Sequence, residues 1–482
     1  MMHNSRRKFL KTASATVAAL AVSSGIPAWA GVAGSAAPVQ VWATYRDRRH
    51  AQAAPLAWKP ATETAPDAIV LDPGATRQEI LGFGAALTDA ACYVLSQIPQ
   101  AQRDELMHEL FAPSEMALNV CRTCIGSSDY SRTAYSFDES PEPDPELKKF
   151  SIDHDKAYIL PTLLEARKVN PELFLFSSPW SPPGWMKSNG SVLGGAMRKH
   201  SFGPYSHYFR KFLEAYKAEG VGIDAVTVQN EVDTDQDGNM PACLWGQEYE
   251  TEFVESHLGP VLRKAGLSTK IWVIDHNYNL WGRAIGELSL PGVNQYVDGI
   301  AWHGYLGEPS AMTRVHDAFP QKNAYWTEGG PDIQAADYLS DFTNWAETFN
   351  GIAHNWARSI TAWNVALDEK GRPNIGPFSC GGVVTVDDAT KKVTRSGQYW
   401  AFAHYSRHIR RGARVFQTNE IGQEAEQGTA SSVSHAGFRN PDGSFVVVLA
   451  NRGPEKQVQL LLGSQMLEID LPASSVHTLQ WA

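Results

Sequence analysis

The chain has 482 residues, enough for two or three average domains or for one closed α/β barrel with a smaller domain beside it. Hydrophobic residues make up 43% and charged residues 20%, a globular composition that excludes a disordered or fibrous protein. Without the four basic residues of the first thirty, 38 basic residues face 52 acidic ones. The resulting formal charge of −14 makes nucleic acid and anionic membranes poor partners.

The N-terminal segment has the features of an export signal. Arg6 and Arg7 form a twin arginine before residues 12–27, which are nearly all small or apolar, and residues 28–30 supply an A-x-A cleavage site. We expect residues 1–30 to be a twin-arginine-type signal peptide, with an ordinary Sec signal as the alternative. Both predict an exported protein, periplasmic or extracellular, with no stable membrane insertion. Because twin-arginine substrates fold first in a reducing cytoplasm, the five cysteines are expected to be free thiols.

Short apolar runs alternate with amphipathic segments between residues 76 and 411. Segments such as 101–111, 158–169 and 205–219 repeat apolar residues every three or four positions, as helices do. Eight strands separated by helices predict a (β/α)8 TIM barrel ahead of any other α/β fold. The eight apolar runs are residues 80–87, 117–125, 173–180, 225–231, 270–276, 297–305, 323–328 and 360–366.

The flanking segments predict a second, all-β domain. Residues 31–75 are expected to contain a linker and N-terminal strands, and residues 412–482 contain the C-terminal strands. Residues 440–443 read N-P-D-G, a hairpin-turn signal. We expect strands from both ends of the chain to form one β-sandwich. The strand patterns lie at residues 39–44, 68–71, 444–451, 457–462, 466–471 and 476–481.

Polar residues collect at the ends of the predicted barrel strands, where such barrels place their chemistry. The fourth strand ends in Glu231 and the seventh in Glu328, among carboxamides, imidazoles and indoles from the other strands. Two carboxyl groups about 5 Å apart across the barrel mouth are what retaining glycoside hydrolysis requires. The alternative, that each glutamate forms a structural ion pair with an arginine, is less favoured for two glutamates in such surroundings.

Two further polar residues lie beside these acids. Asn230 precedes Glu231 at the strand end, where its amide can bind a sugar hydroxyl or instead close its own turn. Arg122 lies inside the second strand, and a buried guanidinium requires a carboxylate partner, for which Glu328 is a candidate. Glu231 would need a raised pKa to donate a proton.

Four motifs resemble those of glycoside hydrolase family 30, the family of lysosomal glucosylceramidase. They are LGFGAALTDA at 81–90, SPWSPPGWMKSNG at 178–190, TVQNE at 227–231 and WTEGG at 326–330. The resemblance extends from about residue 77 to the end of the chain. It implies a retaining β-glycosidase without metal or cofactor, with Glu231 as acid/base and Glu328 as nucleophile. It further implies substrate-binding roles for Arg122, Asp129, Trp180, Asn230, His303, Tyr305 and Trp363.

The resemblance leaves the substrate open. A glucosylceramidase-type activity stands first, with endo-β-1,6-glucanase or β-glucosidase and β-xylosidase activities of the same family as alternatives. Val232 stands where many members have proline, and the acidic loop of residues 233–239 follows it. From other classes, the alternatives are a catalytically inactive carbohydrate-binding barrel and a metal-dependent hydrolase of the same fold.

Two further motifs predict metal or redox sites only weakly. Cys121 and Cys124 have a C-x-x-C spacing, but positions three apart in a strand face opposite sides, so core positions are favoured. Residues 233–238 begin like an EF-hand loop, but position twelve is Leu244 rather than glutamate. A calcium site there is therefore the less favoured interpretation.

A histidine pair is the remaining candidate. His404 and His408 have the H-x-x-x-H spacing that places two imidazoles on one helix face. Tyr405 stands where a zinc protease motif needs glutamate, and the segment follows the eighth strand. An outer barrel helix is favoured over a metal site.

Overall fold

The described chain begins with strands of the sandwich rather than of the barrel. The computed structural model describes residues 38–419 and 433–482, so the predicted signal peptide at residues 1–30 lies outside the described residues. The strands before the barrel are β1 (Gln40–Tyr45), β2 (Arg48–Gln52), β3 (Lys59–Pro60) and β4 (Ile69–Glu79).

The predicted apolar runs form the barrel, and each of them overlaps one parallel strand. The barrel strands are β5 (Gly82–Ala85), β6 (Val120–Cys124), β7 (Phe174–Ser178), β8 (Ala225–Thr227), β9 (Lys270–Asn277), β10 (Val297–His303), β11 (Asn323–Glu328) and β12 (Ala357–Ala362). They pair in the order β5-β12-β11-β10-β9-β8-β7-β6, and a bridge between Ala86 and Arg122 closes the ring. Closure places all eight carboxyl ends on one rim.

The amphipathic segments form helices around the barrel. These are α1 (Asp89–Ser96), α2 (Gln100–Phe111), α3 (Ile159–Val169), α4 (Phe202–Ala218), α5 (Gln247–Phe253), α6 (Gly259–Lys264), α7 (Trp281–Leu288), α8 (Pro291–Asn294), α9 (Ser310–Ala318), α10 (Phe342–His354) and α11 (Gly397–Ser406). Along α4 the aromatic rings of Phe202, Tyr205, Phe209 and Phe212 recur every three or four residues and are buried. Each ring contributes about 1.5–3 kcal/mol by leaving water. Within residues 38–419 and 433–482, no helix is long and apolar enough to cross a membrane.

The segment after the eighth barrel strand differs from the prediction. A single strand at residues 360–366 is wrong, because β12 ends at Ala362 and a turn follows. Asn364 has a φ of 50°, a left-handed conformation that interrupts a strand and that asparagine tolerates. Beyond this turn lies a three-stranded sheet that the sequence did not predict: β13 (Ala366–Asp368), β14 (Val384–Val386) and β15 (Val393–Arg395).

Strands from both ends of the described chain build the sandwich, as predicted. Its C-terminal strands are β16 (Arg414–Thr418), β17 (Ser434–Arg439), β18 (Phe445–Asn451), β19 (Lys456–Leu462), β20 (Gln465–Leu471) and β21 (Ser475–Trp481). The N-terminal β1 pairs with β21, and β4 lies between β16 and β19. The turn at residues 440–443 joins β17 to β18. Buried Leu71, Val447 and Leu479 belong to a hydrophobic core of its own.

Histidines, all of them buried except the partly exposed His50, lie where α11 packs against the sandwich. The ring nitrogens of His404 lie 2.9 Å from Oγ1 of Thr478 and 2.8 Å from Oγ1 of Thr44. The Nε2 atoms of His50 and His408 are 2.9 Å apart. The H-x-x-x-H pair therefore ties the barrel to sandwich side chains. We name as the junction histidines the set His50, His404, His408 and His477.

Burial lowers the pKa of every junction histidine. The pKa falls to about 3 for His50 and to about 4 for His408 and His477, and that of His404 lies well below its usual value. Burial is the largest cause in each case, and the charges of neighbouring histidines or arginines add to it. These rings are therefore neutral at neutral pH.

Candidate active site

The carboxyl ends of the barrel strands surround a cavity of about 430 Å³. This volume lies within the range of small-molecule sites. Seven of the nine predicted site residues line the cavity, and the other two, Arg122 and His303, are fully buried and contact the lining residues. The seven are Asp129, Trp180, Asn230, Glu231, Tyr305, Glu328 and Trp363.

Glu328 ends β11 and is held from two sides. The guanidinium of Arg122 pairs with Oε2, and the phenol of Tyr305 donates a hydrogen bond to Oε1 at 3.0 Å. The Glu328 side chain is buried, yet the cavity reaches it. Two donors thus fix the orientation in which the carboxylate faces a ligand.

Arg122 carries a positive charge into the barrel interior, where its side chain is fully buried. Besides Glu328 it donates hydrogen bonds to Ser178 Oγ at 3.1 Å, Asn230 Oδ1 at 2.8 Å and Asp275 Oδ2 at 2.7 Å. Two carboxylates therefore compensate one guanidinium. Loss of either carboxylate would leave an incompletely paired buried charge, which is strongly destabilising.

Asp275 on β9 lies at the centre of this buried network and is not among the predicted site residues. Its Oδ2 also accepts hydrogen bonds from Ser178 at 2.8 Å and Thr227 at 2.7 Å, and its Oδ1 lies 3.1 Å from Nε2 of His303. Burial alone would raise the pKa of Asp275, but the charge of Arg122 and these contacts hold it well below its usual value. Asp275 is therefore a permanent negative charge beneath the cavity.

His303 at the end of β10 connects the network to both glutamates. Its Nδ1 lies 3.3 Å from Oε1 of Glu231, and its Nε2 lies 3.8 Å from Oε2 of Glu328. Burial acts to lower the pKa of His303, but the charge of Glu328 and the contacts with Asp275 and Glu231 raise it to about 9. The imidazole is therefore cationic at neutral pH.

Glu231 follows β8 in a left-handed conformation, with a φ of 54°. Its Oε1 lies 3.4 Å from Nε2 of His276, and its Oε2 accepts a hydrogen bond from Nε2 of Gln236 at 2.8 Å. Burial would raise the pKa of Glu231, but the contact with His303 and the electrostatic effect of the His276 and His303 rings lower it below its usual value. This is the opposite of the raised pKa expected from the sequence, because the contacts of Glu231 with His303 and His276 depend on the folded arrangement of the strands.

The two glutamates approach each other across the cavity. One carboxylate oxygen of each and one ring nitrogen of His303 all lie within 4.8 Å of one another. This separation is close to the ~5 Å of a retaining pair and shorter than the ~6.5 Å at which inverting pairs begin. Among the described residues, these three side chains also have the spacing of a metal site. However, Glu328 is already paired with Arg122, and His303 already contacts Asp275.

Aromatic rings form the wall and the mouth of the cavity. Trp180 and Trp363 stack with ring centroids 5.1 Å apart, and Arg122 lies over Trp180 at 4.6 Å from the ring centre. Tyr305 and Phe378 remain about half exposed while lining the cavity. Flat, partly solvated rings of this kind suit the apolar faces of sugars.

Asp129 faces the cavity from the loop after β6. Its Oδ1 is buried and has no hydrogen-bond partner among the described residues. Burial, together with the charges of Glu328 and Glu231, raises the pKa of Asp129 well above its usual value. A buried carboxyl of this kind is ready to exchange hydrogen bonds with a ligand hydroxyl.

Two family models match the chain in consecutive segments. The glycosyl hydrolase family 30 TIM-barrel domain matches residues 80–409, and the glycosyl hydrolase family 30 beta sandwich domain matches residues 419–479. The chain belongs to glycoside hydrolase family 30. It is therefore a glycosidase, and the resemblance identified from the four motifs is confirmed.

Relatives of this family 30 protein include glucanases and glucosylceramidases. An endo-1,6-beta-D-glucanase of Neurospora crassa is 34% identical over 79% of this chain and 80% of its own. The lysosomal acid glucosylceramidase of Mus musculus is 29% identical over 86% of this chain and 83% of its own. Among solved structures, the endo-beta1,6-glucanase BT3312 superposes with a TM-score of 0.81 at 28% identity, covering 92% of this chain and 99% of that one.

Several residues of this family 30 site were given no role in the prediction from the sequence. Asp275, His276 and Asn277 end β9, and polar residues at that end of a barrel strand face the mouth, so a usable signal was present. The lining residues that lie in loops do not stand at the end of a barrel strand, so their sequence positions did not indicate that they face the cavity. The further lining residues are Thr234, Gln236, Met240, His276, Asn277, Phe378 and Cys380.

The aspartates of the loop at residues 233–239 make separate contacts. Asp233 contacts His276, whereas Asp235 accepts hydrogen bonds from the amides of Asp237 at 3.3 Å and Gly195 at 3.4 Å. Asp237 itself is exposed. Among the described residues, these carboxylates do not converge on one point as EF-hand ligands do.

Proposed function

We propose that this family 30 glycosidase hydrolyses β-1,6-linked glucan chains by double displacement, with retention at the anomeric carbon. The observation that carries the proposal is the approach of a Glu231 oxygen to a Glu328 oxygen within 4.8 Å at the cavity floor. This geometry leaves room for a sugar ring between the carboxyl groups and not for an additional water molecule.

In the first half of the reaction, an oxygen of Glu328 attacks the anomeric carbon. The glycosidic bond breaks, and Glu231 in its protonated form, which its lowered pKa makes dependent on acidic pH, gives its proton to the departing oxygen, which leaves as a hydroxyl. In the second half, Glu231 takes a proton from water, the water oxygen bonds to the anomeric carbon, and the bond to Glu328 breaks. Because Arg122 and Tyr305 both donate to Glu328, the carboxylate that is released returns to the same position.

The remaining predicted residues bind the sugar. Oδ1 of Asn230 is occupied by Arg122, which leaves the amide nitrogen free to donate to the 2-hydroxyl. Asp129 faces the hydroxyls on the other side of the ring, and Trp180 with Trp363 packs against the ring itself.

The choice of a β-1,6-glucan rests on the names of the relatives and on the mouth of the cavity. Relatives named as endo-1,6-glucanases include one 34% identical, whereas the glucosylceramidase-type activity placed first from the sequence is supported by relatives of 28–29% identity. The half-exposed Tyr305 and Phe378 offer stacking surfaces to further sugar units outside the cavity.

The test compares turnover of β-1,6-glucan, β-1,3-glucan, glucosylceramide and an aryl β-glucoside by the wild type, Glu231→Gln and Glu328→Gln. We expect β-1,6-glucan to be the preferred substrate, and both variants to lose at least ~10³-fold of kcat on it. Glu308→Gln, an exposed glutamate on the same rim, is the matched control and should keep full activity. Preference for glucosylceramide would overturn the substrate, and full activity of either active-site variant would overturn the mechanism. Sugar binding without turnover would favour the inactive carbohydrate-binding barrel.

We also propose export through the twin-arginine route, supported by Arg6, Arg7 and the apolar segment at residues 12–27. Lysine substitution of both arginines should retain the protein in the cytoplasm. N-terminal sequencing of the exported wild type should begin at Gly31, after the A-x-A site. Unchanged export of the lysine variant would contradict the route.

A further inference from the structure

The loop that follows the acid/base residue returns its side chains to the carboxylate of Glu231. Gln236 donates a hydrogen bond to Oε2 at 2.8 Å, although it lies five positions after Glu231 in the chain. Gln236 and Asp237 both adopt left-handed conformations, with φ of 52° and 50°, and these make the reversal of the chain. The loop therefore contributes to the catalytic constellation as well as to the rim.

A second contact runs from the same loop through a histidine of β9. Nδ1 of His276 lies in close contact with Oδ1 of Asp233, and Nε2 of the same ring lies 3.4 Å from Oε1 of Glu231. His276 is 8% exposed, so the ring has little freedom to turn. Asp233, His276 and Glu231 thus form a chain of contacts in which the imidazole lies between two carboxylates.

The loop that carries Asp233 is fixed by its neighbours. The amide of Trp245 donates to the carbonyl of the buried Val232 at 2.8 Å, and Asp235 accepts from the amide of Gly195. A Cβ atom at Gly194 would lie 2.6 Å from the Cα of Gly238, so the two rim loops are in close backbone contact. Asp233 is therefore held in place beside the imidazole.

We propose that Asp233 and His276 are a positioning pair for the acid/base residue, in which Asp233 orients the imidazole and the imidazole holds Oε1 of Glu231 in place for proton transfer. This inference rests on the proposed function. It concerns one residue of the loop after Glu231 and one residue near the end of β9, and it deepens the assignment of Glu231 by naming what sets its orientation and its pKa.

The pair has a direct consequence for pH dependence. The imidazole of His276 is one of the causes that lower the pKa of Glu231, so its removal or reorientation should raise that pKa. Arg283 adds its charge beside Asp233. The other titratable groups that face Glu231 or its histidines are Asp129, Asp275, His303, Tyr305 and Glu328.

The first part of the test is the pH profile of kcat/KM for the wild type, Asp233→Asn, His276→Gln and the double variant on a β-1,6-linked oligosaccharide. The alkaline limb reports loss of the proton of Glu231. We expect this limb to move to higher pH in both single variants. Because Asp233 acts through His276, the double variant should move no further than His276→Gln.

The second part compares leaving groups, which a merely structural role would not distinguish. On the oligosaccharide, whose leaving oxygen needs a proton, we expect kcat/KM at the optimum to fall about tenfold or more in each single variant. On 2,4-dinitrophenyl β-glucoside, whose leaving group departs without one, the loss should stay below about threefold. Asp237→Asn removes the same charge from an exposed position of the same loop and should leave both activities unchanged.

The outcomes separate this inference from the proposed function. Unchanged alkaline limbs, or equal losses on the two substrates, would overturn the positioning pair while the glycosidase mechanism stands. Additive shifts in the double variant would show that Asp233 does not act through His276 and would also overturn it. A wild type inactive on both substrates would overturn the proposed function and this inference with it.

Discussion

Histidines lie buried or half-buried in two regions of the molecule, the barrel mouth and the junction with the sandwich. In the mouth, His303 contacts Asp275 and Glu231, and its pKa is raised to about 9. At the junction, His50 and His408 face each other, and their pKa values are lowered to about 3 and about 4. Burial opposes the charged form in both regions, so the carboxylate partners of the mouth account for the difference.

The two regions should therefore respond to pH in opposite ways. Because the pKa of His303 is higher in the folded protein than in the unfolded chain, where it is about 6.5, protonation of His303 stabilises the fold. This contribution is complete below about pH 6.5 and is lost as pH rises through about 9. Because the pKa values of the junction histidines are lower in the folded protein than in the unfolded chain, their neutral forms stabilise the fold. This contribution is complete above about pH 6.5 and is lost as pH falls towards 4. The same residue type thus supplies charge at the active site and acid sensitivity at the junction.

The largest effect on activity and stability is expected when Asp275, the buried carboxylate beneath the cavity, is replaced. Asp275→Asn removes a partner of both Arg122 and His303, so kcat/KM should fall about 10³-fold and the free energy of unfolding by about 3–5 kcal/mol. Steady-state kinetics and thermal unfolding measure the two effects. Asp298→Asn, which removes a carboxylate paired with Lys270 at the opposite end of the barrel, should destabilise without changing kcat/KM. Normal activity of Asp275→Asn would show that the buried network does not support catalysis.

A smaller effect is expected at the junction on acidification. The melting temperature of the wild type should fall by about 5 °C or more between pH 7 and pH 5, because the neutral junction histidines must take up protons on unfolding. The double variant His50→Gln/His408→Gln should show a smaller fall in melting temperature over the same pH range. The measurement is differential scanning fluorimetry across that pH range. An unchanged pH dependence in the double variant would mean that other groups cause the acid sensitivity.

The difference between the two regions should become smaller when a carboxylate is introduced beside a junction histidine. Oε1 of Gln480 lies 3.0 Å from Nδ1 of His408, so Gln480→Glu would place a negative charge beside this ring. We expect the pKa of His408 to rise and the loss of stability between pH 7 and pH 5 to shrink by a few degrees. A histidine-selective NMR titration would follow the ring directly. A pKa that stays low would show that the partner does not decide the protonation state.

The smallest effect concerns the cysteines, four of which are buried, as most of the junction histidines are. All five are free thiols, and burial is the largest cause that raises the pKa of Cys121 and Cys243 to about 12. In the native protein, a thiol reagent should label at most the partly exposed Cys380, whereas all five should react after unfolding. Native labelling of Cys121 or Cys124 would contradict their assignment to the core.

The barrel and both central glutamates could be predicted because their signals are local in the sequence. Apolar runs of strand length, spaced by helical segments, indicate the barrel. Glu328 ends one strand and Glu231 comes shortly after another, and both are polar residues that close an apolar run of the sequence. The pairing of Arg122 with Glu328 was predictable because a buried guanidinium must find a carboxylate. These inferences need only strand position and residue type.

The rest of the site depends on contacts between distant segments. Nothing in the sequence tells which carboxylate Arg122 shares with His303, so the central place of Asp275 was missed. The lowered pKa of Glu231 follows from histidines on two other strands, and its contact with Gln236 follows from two left-handed residues in a loop. Three-dimensional neighbours, rather than residue types, decide these properties.

The central claim, that Glu328 forms the covalent intermediate of a retaining glycosidase, is tested most directly by trapping. A 2-deoxy-2-fluoro β-glucoside with a dinitrophenyl leaving group slows both steps but lets the first occur, so the glycosyl-enzyme should accumulate. Peptide mass spectrometry should then place a single added sugar on Glu328, and Glu328→Gln should remain unlabelled. A sugar attached to another residue, or turnover of glucosides with inversion and no labelled peptide, would contradict the account.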